Sequence, residues 1–395
     1  MINIINKSDC CGCTACANIC PKQCIHMKDD IEGFKYPSVD KSSCIGCGLC
    51  EKVCPMLELP KQVKEEKKYY IVQALDEHVR AESTSGGAFT PLSNVILEKQ
   101  GVVFGAAFRD NKDFYVEHCY IDEKDKSGKF RGSKYVQSDM NTCMKKCKDF
   151  LDGGGLVLFS GTPCQISGLI KYLGKNYDNL YTVDVVCRAV PSPKVFRKYL
   201  EWQRKRNRDG IKNIRFRDKH YGYNYSTMSV YSNKGKEYHR GIESDLYLRA
   251  FFSGICDRPC CSNCRFRENH ASDLTIWDCF NVGEIAPEMD DNKGTTRIAV
   301  NTLHGRQLLE MCQDQFKIKP FLLDGGKKER AYAEKLKIDR NQFFVDLDSL
   351  GADAFFEKYF PTSMKVRFLG AVRLFSYRIG IYNVLKKVWN IYKNR

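Results

Sequence analysis

Two stretches decide how this chain is read: residues 10–21, CCGCTACANICP, and residues 44–55, CIGCGLCEKVCP. In each, four cysteines are spaced C-x2-C-x2-C-x3-C and a proline follows: Cys10, Cys13, Cys16 and Cys20 before Pro21, then Cys44, Cys47, Cys50 and Cys54 before Pro55. Spacing this short lets one turn of backbone wrap the corner of an iron–sulfur cubane, with Gly12, Gly46 and Gly48 relieving the crowding. In such runs three close cysteines hold one 4Fe–4S cluster and the fourth crosses to the other. The expected sets are therefore Cys10, Cys13 and Cys16 with Cys54, and Cys44, Cys47 and Cys50 with Cys20. A zinc ribbon would need four ligands in two pairs, not two quartets each ending in Cys-Pro. Cys11 and Cys24 fall outside the pattern and read as spectators.

Residues 1–60 thus read as a two-cluster ferredoxin domain, and the rest of the chain must be explained around it. The whole has 395 residues, 21 cysteines and a formal charge of +15. Its 43% hydrophobic content excludes global disorder, and its length excludes a small disulfide-stapled scaffold. The opening MINIINKSDC lacks the cationic stretch, apolar run and cleavage site of a secretory signal, so a cytoplasmic location is expected. No stretch approaches the ~20 apolar residues of a membrane-spanning helix.

Lys61–Lys68 (KQVKEEKK) reads as a linker. Beyond it, strands are expected at Ile71–Leu75, Val102–Phe108, Phe114–Ile121, Gly132–Gln137, Leu156–Phe159 and Tyr181–Val186. Helices are expected from Ser83 to about Gln100 and over Asn141–Leu151, Gln165–Leu173 and Pro193–Arg206. This alternation argues for a layered α/β domain. The expected fold is an α+β ferredoxin-like two-cluster domain (1–60) and a linker (61–68). A layered α/β flavin- and iron–sulfur-binding domain (69–345) and a basic helical C-terminal tail (346–395) follow.

Cys164 and Cys187 each fall just past a strand, where ligands gather in open α/β sheets. Cys261 and Cys264 add a C-x2-C pair, and together the four could ligate a third cluster, with Cys143, Cys147, Cys256 and Cys260 in reserve. At this point the chain resembles the beta-subunit family of coenzyme F420-reducing hydrogenases and dehydrogenases, in the branch with an N-terminal two-cluster ferredoxin domain. The matching segments are Arg80–Gly87 (RAESTSGG), Arg131–Ser138 (RGSKYVQS), Phe159–Gln165 (FSGTPCQ), Val183–Cys187 with Pro191–Pro193, Phe216–Lys219 (FRDK) and Cys261–Phe266 (CSNCRF). The resemblance implies an FAD-containing iron–sulfur oxidoreductase in which Cys164, Cys187, Cys261 and Cys264 hold a cluster beside the flavin. The chain departs from the family at Cys187-Arg188-Ala189, where Cys-His-Gly is common, and at Trp277-Asp278-Cys279-Phe280, which replaces a Gly-Asp-aromatic-Trp motif.

No G-x-G-x-x-G follows a strand, so the flavin phosphates are assigned to Ser83, Ser85, Gly86 and Gly87 at an expected helix N-terminus. Gly132, Ser133, Lys134 and Tyr135 are second candidates, and Thr162 and Gln165 are placed at the isoalloxazine edge. Asp218, His220 and Tyr221 form a polar, aromatic segment that could cap the flavin and supply a proton. The reaction so read is an electron relay: a ferredoxin-type donor fills the clusters singly, and FAD turns single electrons into a hydride for a small, phosphorylated or sugar-linked substrate. Family members with fused ferredoxins often accompany cell-surface polysaccharide biosynthesis. The alternative is an electron-transfer subunit that exchanges hydride with coenzyme F420 for a hydrogenase or dehydrogenase partner.

From Lys358 to Arg395 there are nine Lys or Arg and no Asp or Glu. Phe368, Val372, Phe375, Ile379 and Tyr382 recur at helical spacing, with Trp389 and Tyr392 beyond. The segment reads either as an amphipathic helix at the inner face of an anionic membrane or as a helix packed on the body. No recognised nucleic-acid module accompanies the charge. Three clusters and an FAD would each contribute about −2, leaving the loaded protein near roughly +7.

Overall fold

The structure, a computed structural model, describes residues 1–60, 66–109, 113–323, 338–382, 384 and 385. Residues 61–65 of the expected linker and the tail positions Lys386, Trp389 and Tyr392 lie outside them.

Contacts divide the chain into two units, Met1–Lys194 with Asp257–Ala331 and Val195–Cys256 with Tyr332–Arg395. This differs from the boundaries read from the sequence. Residues 1–60 belong to the first unit together with the α/β sheet, and 195–256 joins the C-terminal segment. A short segment whose small core is largely cysteine buries too little apolar surface to stand alone. That core is Ile2, Cys24, Ile25 and Cys50, edged by Cys16, Cys20, Cys44 and Cys54.

The cysteine-rich segment of the first unit has helices α1 (Ala15–Ile19) and α2 (Leu49–Lys52), with a hairpin of β1 (Ile25–Asp29) and β2 (Lys35–Val39) between them. Then come β3 (Lys68–Ala74), α3 (Glu77–Glu82), α4 (Phe89–Glu98), β4 (Val102–Phe108), β5 (Val116–Ile121), α5 (Cys143–Asp152), β6 (Val157–Gly161), α6 (Pro163–Leu173) and β7 (Leu180–Val185). The second unit opens with α7 (Pro193–Arg206), which begins at the boundary, and carries β8 (Ile211–Asp218), β9 (Thr227–Ser232), β10 (Glu237–Gly241) and α8 (Leu246–Ser253). The chain returns to the first unit with α9 (Val282–Ile285) between β11 (Leu274–Asp278) and β12 (Thr296–Val300), then α10 (Leu303–Glu310) and β13 (Phe316–Pro320). It ends in the second with α11 (Arg340–Ser349), α12 (Ala352–Tyr359) and α13 (Met364–Arg378).

The large sheet runs β13-β3-β12-β11-β7-β6-β4-β5. Its centre, β4, β6, β7 and β11, is parallel, and the flanking pairs are antiparallel. Continuous apolar runs such as Val102–Phe104 and Val157–Phe159 suit strands covered on both faces. One face packs α4 and α10 through Leu92, Ile96, Val103, Leu158, Val183 and Leu308. The parallel register places the ends of β6 and β7 side by side, and Cys164 and Cys187 follow those ends.

Two expected elements differ. Gly132–Gln137 is irregular, because its backbone donors leave the sheet: Ser133 N–H goes to the Thr84 hydroxyl at 2.7 Å and Gln137 N–H to the Pro191 carbonyl at 3.2 Å. The helix expected to open at Ser83 is instead α3, a turn over 83–87, and α4 starting at Phe89. Gly87 takes φ +81°, which a continuing helix forbids.

In the second unit β10-β9-β8 form an antiparallel sheet. Phe196, Tyr199, Phe216 and Tyr247 pack together, and Tyr199 meets Phe356 of α12 edge-on.

Candidate functional site

The two cysteine runs repeat in conformation as well as spacing. Gly12 and Gly46 have φ +73° and +68°, and Thr14 and Gly48 have 67° and 72°, so each loop makes the same left-handed steps before α1 or α2. Cys20, Cys44, Cys47 and Cys50 line one pocket of about 370 Å³, its open mouth included. Cys20 thus joins the second run's cysteines, the crossing that the spacing implies. Cys24 lines the same pocket with its sulfur 3.4 Å from that of Cys20, so it is a neighbour of the ligands rather than a distant spectator. In the other group, burial and the nearby Cys10 and Cys54 push the Cys16 thiol up to about 12.

A second pocket, about 530 Å³ with its mouth, gathers Cys164, Cys187, Cys261 and Cys264. Cys11 and Cys260 line it too. Cys11 is therefore no spectator; folding brings it to this wall because the loop from Cys10 to Cys13 lies against α6. Gly168, one helical turn beyond Cys164, is the point of contact: a Cβ there would stand 2.8 Å from the Cys13 Cβ and Sγ. Of the reserve cysteines, Cys260 lines the pocket, whereas Cys143 and Cys147 are buried along α5 and Cys256 belongs to the second unit. A hydrogen bond with Cys11 and burial hold the Cys164 thiol well above its ordinary range, and burial does the same to Cys187. Metal-free, these thiols are neutral; as ligands they must release their protons. Arg188, Arg265 and Arg267 also line the pocket, cationic surroundings that suit a negatively charged cluster.

Thr162 and Gln165 cap α6 rather than pointing at a ligand. The Gln165 Oε1 accepts from Thr162 N–H at 2.9 Å and from its hydroxyl at 3.1 Å, and the Thr162 oxygen lies 3.2 Å from the Cys164 sulfur. The Gln165 amide donates to Ser138 Oγ at 3.0 Å, and Ser138 lies 2.9 Å from His118 Nδ1. His118 Nε2 meets the Ser160 carbonyl at 3.0 Å, which sets the tautomer: Nε2–H donates and Nδ1 accepts from Ser138. This buried chain fixes the start of α6, and with it Cys164. Nothing in the sequence singles out His118, a lone histidine in a strand.

Burial holds the His118 pKa down at about 4, below the ~6.5 of an unfolded chain. As pH falls, the unfolded chain takes the proton first. Stability present above pH ~6.5 is therefore lost progressively toward pH ~4, on the order of 3 kcal/mol for this group. His118→Gln is expected to shrink the difference in urea midpoint between pH 7.5 and pH 5.0; an undiminished difference refutes the assignment.

The two segments expected at the flavin phosphates do meet: Ser133 N–H donates to Thr84 Oγ1, and Arg131 pairs with Glu82 at 2.7 Å. Their roles differ from expectation. The Ser83 hydroxyl donates to the Val79 carbonyl at 2.7 Å and the Ser85 hydroxyl to the Thr295 carbonyl at 2.6 Å, while Gly86 N–H goes to Thr296 Oγ1 at 2.8 Å. Donors committed in this way cannot also donate to an anion. Arg80, buried and bidentate to Asp291 at 2.7 and 2.6 Å, locks the same turn. Lys134 is different: among the described residues its Nζ meets only the carbonyls of Lys129, Arg131 and Gly132, at 3.0 to 3.2 Å. Burial pushes its pKa down to about 8, and among the described residues no carboxylate pairs with it.

Asp218, His220 and Tyr221 belong to the second unit, on the chain leaving β8, whereas the cysteine pocket belongs to the first. Asp218 accepts from the Tyr231 hydroxyl at 2.5 Å, and His220 stacks on His239 with ring centroids 3.6 Å apart. Both His239 nitrogens are engaged, by Ser229 at 2.7 Å and Glu237 at 2.9 Å. These contacts brace the sheet β8–β10.

Comparison with known proteins accords with this geometry. Residues 155–321 match the family described as the C terminus of the coenzyme F420 hydrogenase/dehydrogenase beta subunit, and residues 9–57 match the 4Fe–4S dicluster domain. Among solved structures the chain is similar to one from the F420-reducing NiFe hydrogenase complex of Methanosarcina barkeri. The identity is 15% and the TM-score 0.46, over 76% of this chain and 91% of that one. No curated protein matches.

Proposed function

We propose that this chain, which belongs through residues 155–321 to the coenzyme F420 hydrogenase/dehydrogenase beta-subunit family, relays single electrons from a ferredoxin-type donor to a bound FAD that reduces a small substrate. It is an iron–sulfur electron-transfer protein of that family, with a 4Fe–4S dicluster domain at residues 9–57. The observation that carries the reading is the convergence of Cys164, Cys187, Cys261 and Cys264 on one pocket whose wall includes Cys11, a residue of the dicluster loop.

The thiols are ordered. Cys47 is exposed, and Ile45 beside it is 61% exposed, so the Cys20, Cys44, Cys47 and Cys50 group faces a donor. Cys10, Cys13, Cys16 and Cys54 come next, with Cys13 against α6. Cys164 follows one turn along that helix, about 6 Å of rise. When bound, the clusters would carry electrons singly and FAD would pair them for hydride transfer. Lys134 would hold an FAD phosphate, and the His118–Ser138–Gln165 chain keeps the Cys164 end of α6 in place. Arg188, Arg265 and Arg267 favour an anionic substrate such as a phosphorylated or sugar-linked one.

Anaerobic reconstitution with counting of iron, sulfide and flavin tests this reading. About twelve irons and one FAD per chain, with flavin bleached by reduced ferredoxin, are expected. Eight irons and no retained flavin would overturn the third cluster and the FAD.

We infer that α13 meets an anionic membrane. Phe368 and Phe375 are 67% and 64% exposed, Leu369 and Val372 lie exposed between them, and Lys365, Arg367 and Arg378 share the helix. Arg373 instead anchors it, pairing with Glu243. Among the described residues no helix is long and apolar enough to cross a membrane. Phe368→Ser/Phe375→Ser should lower pelleting with anionic vesicles by about tenfold or more. Equal pelleting of parent and variant sinks the contact.

A further inference from the structure

Arg258 is 1% exposed, the largest side chain so completely buried among the described residues. It precedes Pro259, Cys260 and Cys261, yet its guanidinium reaches into the dicluster segment. Nε donates to the Cys10 carbonyl at 2.8 Å, Nη1 to Gln137 Oε1 at 2.9 Å, and Nη2 to the Lys35 carbonyl at 3.0 Å and the Cys10 sulfur at 3.5 Å. Its carbon lies 4.3 Å from the Tyr36 ring centroid and 5.4 Å from that of Phe34. Gly12 makes room: a Cβ there would fall 2.8 Å from Nη1.

These partners are carbonyls, an amide, π faces and one thiol. None carries a full negative charge, and no carboxylate of a described residue forms an ion pair with Arg258. Burying a guanidinium without a counter-charge costs several kcal/mol, so a fold that keeps one supplies the charge by other means. Among its hydrogen-bond partners Cys10 alone can become anionic, as a thiolate ligand of a cluster whose core and four thiolates together carry about −2; the Cys260 and Cys11 thiols also lie near enough to attract it.

We propose that Arg258 is the built-in counter-ion of the cluster held by Cys10, Cys13, Cys16 and Cys54, and that it sets that cluster's reduction potential above that of its twin. A nearby cation and an N–H···S bond both stabilise the more negative, reduced state. The pocket of Cys20, Cys44, Cys47 and Cys50 also has an N–H···S bond, from Ile2 N–H to Cys50 Sγ at 3.3 Å, but its lining cations, Lys22 and the Met1 amine, are exposed and screened by water, whereas Arg258 is buried. Electrons entering at the exposed cluster therefore fall toward the inner one, next to Cys11 and α6. Each transfer oxidises one cluster and reduces the next by one electron, with no bond made or broken. Arg258 acts through Cys10 as a positioning residue.

The inference rests on the iron–sulfur reading above, and the experiment separates the two. The full chain is reconstituted anaerobically and titrated electrochemically with EPR detection, as the parent, Arg258→Gln and Arg258→Lys. In Arg258→Gln the cluster of Cys10, Cys13, Cys16 and Cys54 should need a lower potential, its reduced-to-oxidised ratio at fixed potential falling at least tenfold (about 59 mV for one electron), while that of Cys20, Cys44, Cys47 and Cys50 stays put. Arg258→Lys, which keeps the charge, should recover most of that shift. Intact clusters with every potential unmoved overturn the role of Arg258 alone; a parent chain without 4Fe–4S signals overturns the underlying reading. If Arg258→Gln does not fold, ENDOR on parent protein labelled with 15N-arginine decides. A guanidinium 15N coupling to one reduced cluster supports the contact, and its absence refutes it.

Discussion

Replacing Cys164 with alanine is expected to lower the iron content from about twelve to about eight atoms per chain and to stop flavin reduction by ferredoxin, while both dicluster signals persist. Cys164 sits at the second position of α6, between the Thr162 cap and the contact of Gly168 with Cys13. Its loss removes one of four thiols and the wall nearest the inner dicluster group. Six thiols line the pocket, so the outcome is also diagnostic in the other direction. Iron remaining near twelve would mean that Cys11 or Cys260 completes the set and that Cys164 is not an obligatory ligand. Iron content and EPR of the reduced protein check this directly.

Lys134→Met is expected to raise the Kd for FAD by about 10- to 100-fold, the equivalent of roughly 1.4–2.8 kcal/mol, with iron content unchanged. The side chain keeps its apolar length but loses the ammonium, which among the described residues has only carbonyl partners. A phosphate would restore the charged form that burial disfavours, so FAD should also protect the parent protein more strongly below pH 8 than above it. Equilibrium dialysis of FAD against parent and variant measures the first effect. Equal affinities would place the pyrophosphate elsewhere.

Ser83, Ser85 and Gly86 show where local reading fails. A Ser-Thr-Ser-Gly-Gly run looks like a phosphate-binding helix start, because hydroxyls and glycines offer donors there. Thr295 and Thr296, more than two hundred residues away, take the Ser85 and Gly86 donors, and the Val79 carbonyl takes that of Ser83. Lys134 stands second in the same expectation and is the stronger candidate, since only folding shows that it is half-buried with no carboxylate of a described residue beside it. Asp218, His220 and Tyr221 adjoin in sequence, and within the second unit they contact Tyr231, His239 and Tyr225.

What the sequence by itself determined is the chemistry that fits inside a dozen residues. The doubled C-x2-C-x2-C-x3-C-P run specifies cubane ligation, because the cysteines of each corner lie within one turn of chain. The alternation of expected strands and helices argued for a layered α/β domain and put Cys164 and Cys187 just past two strands; that those strands pair in parallel, beside β11, came only with the tertiary structure. The tertiary structure alone decided that Cys11 and Cys260 line the pocket of Cys164, Cys187, Cys261 and Cys264, that the dicluster segment and the sheet share one unit, and that Arg258 lies buried against Cys10. Burial and counter-charge are made by residues as far apart as Cys10 and Arg258, and no local spacing encodes that distance.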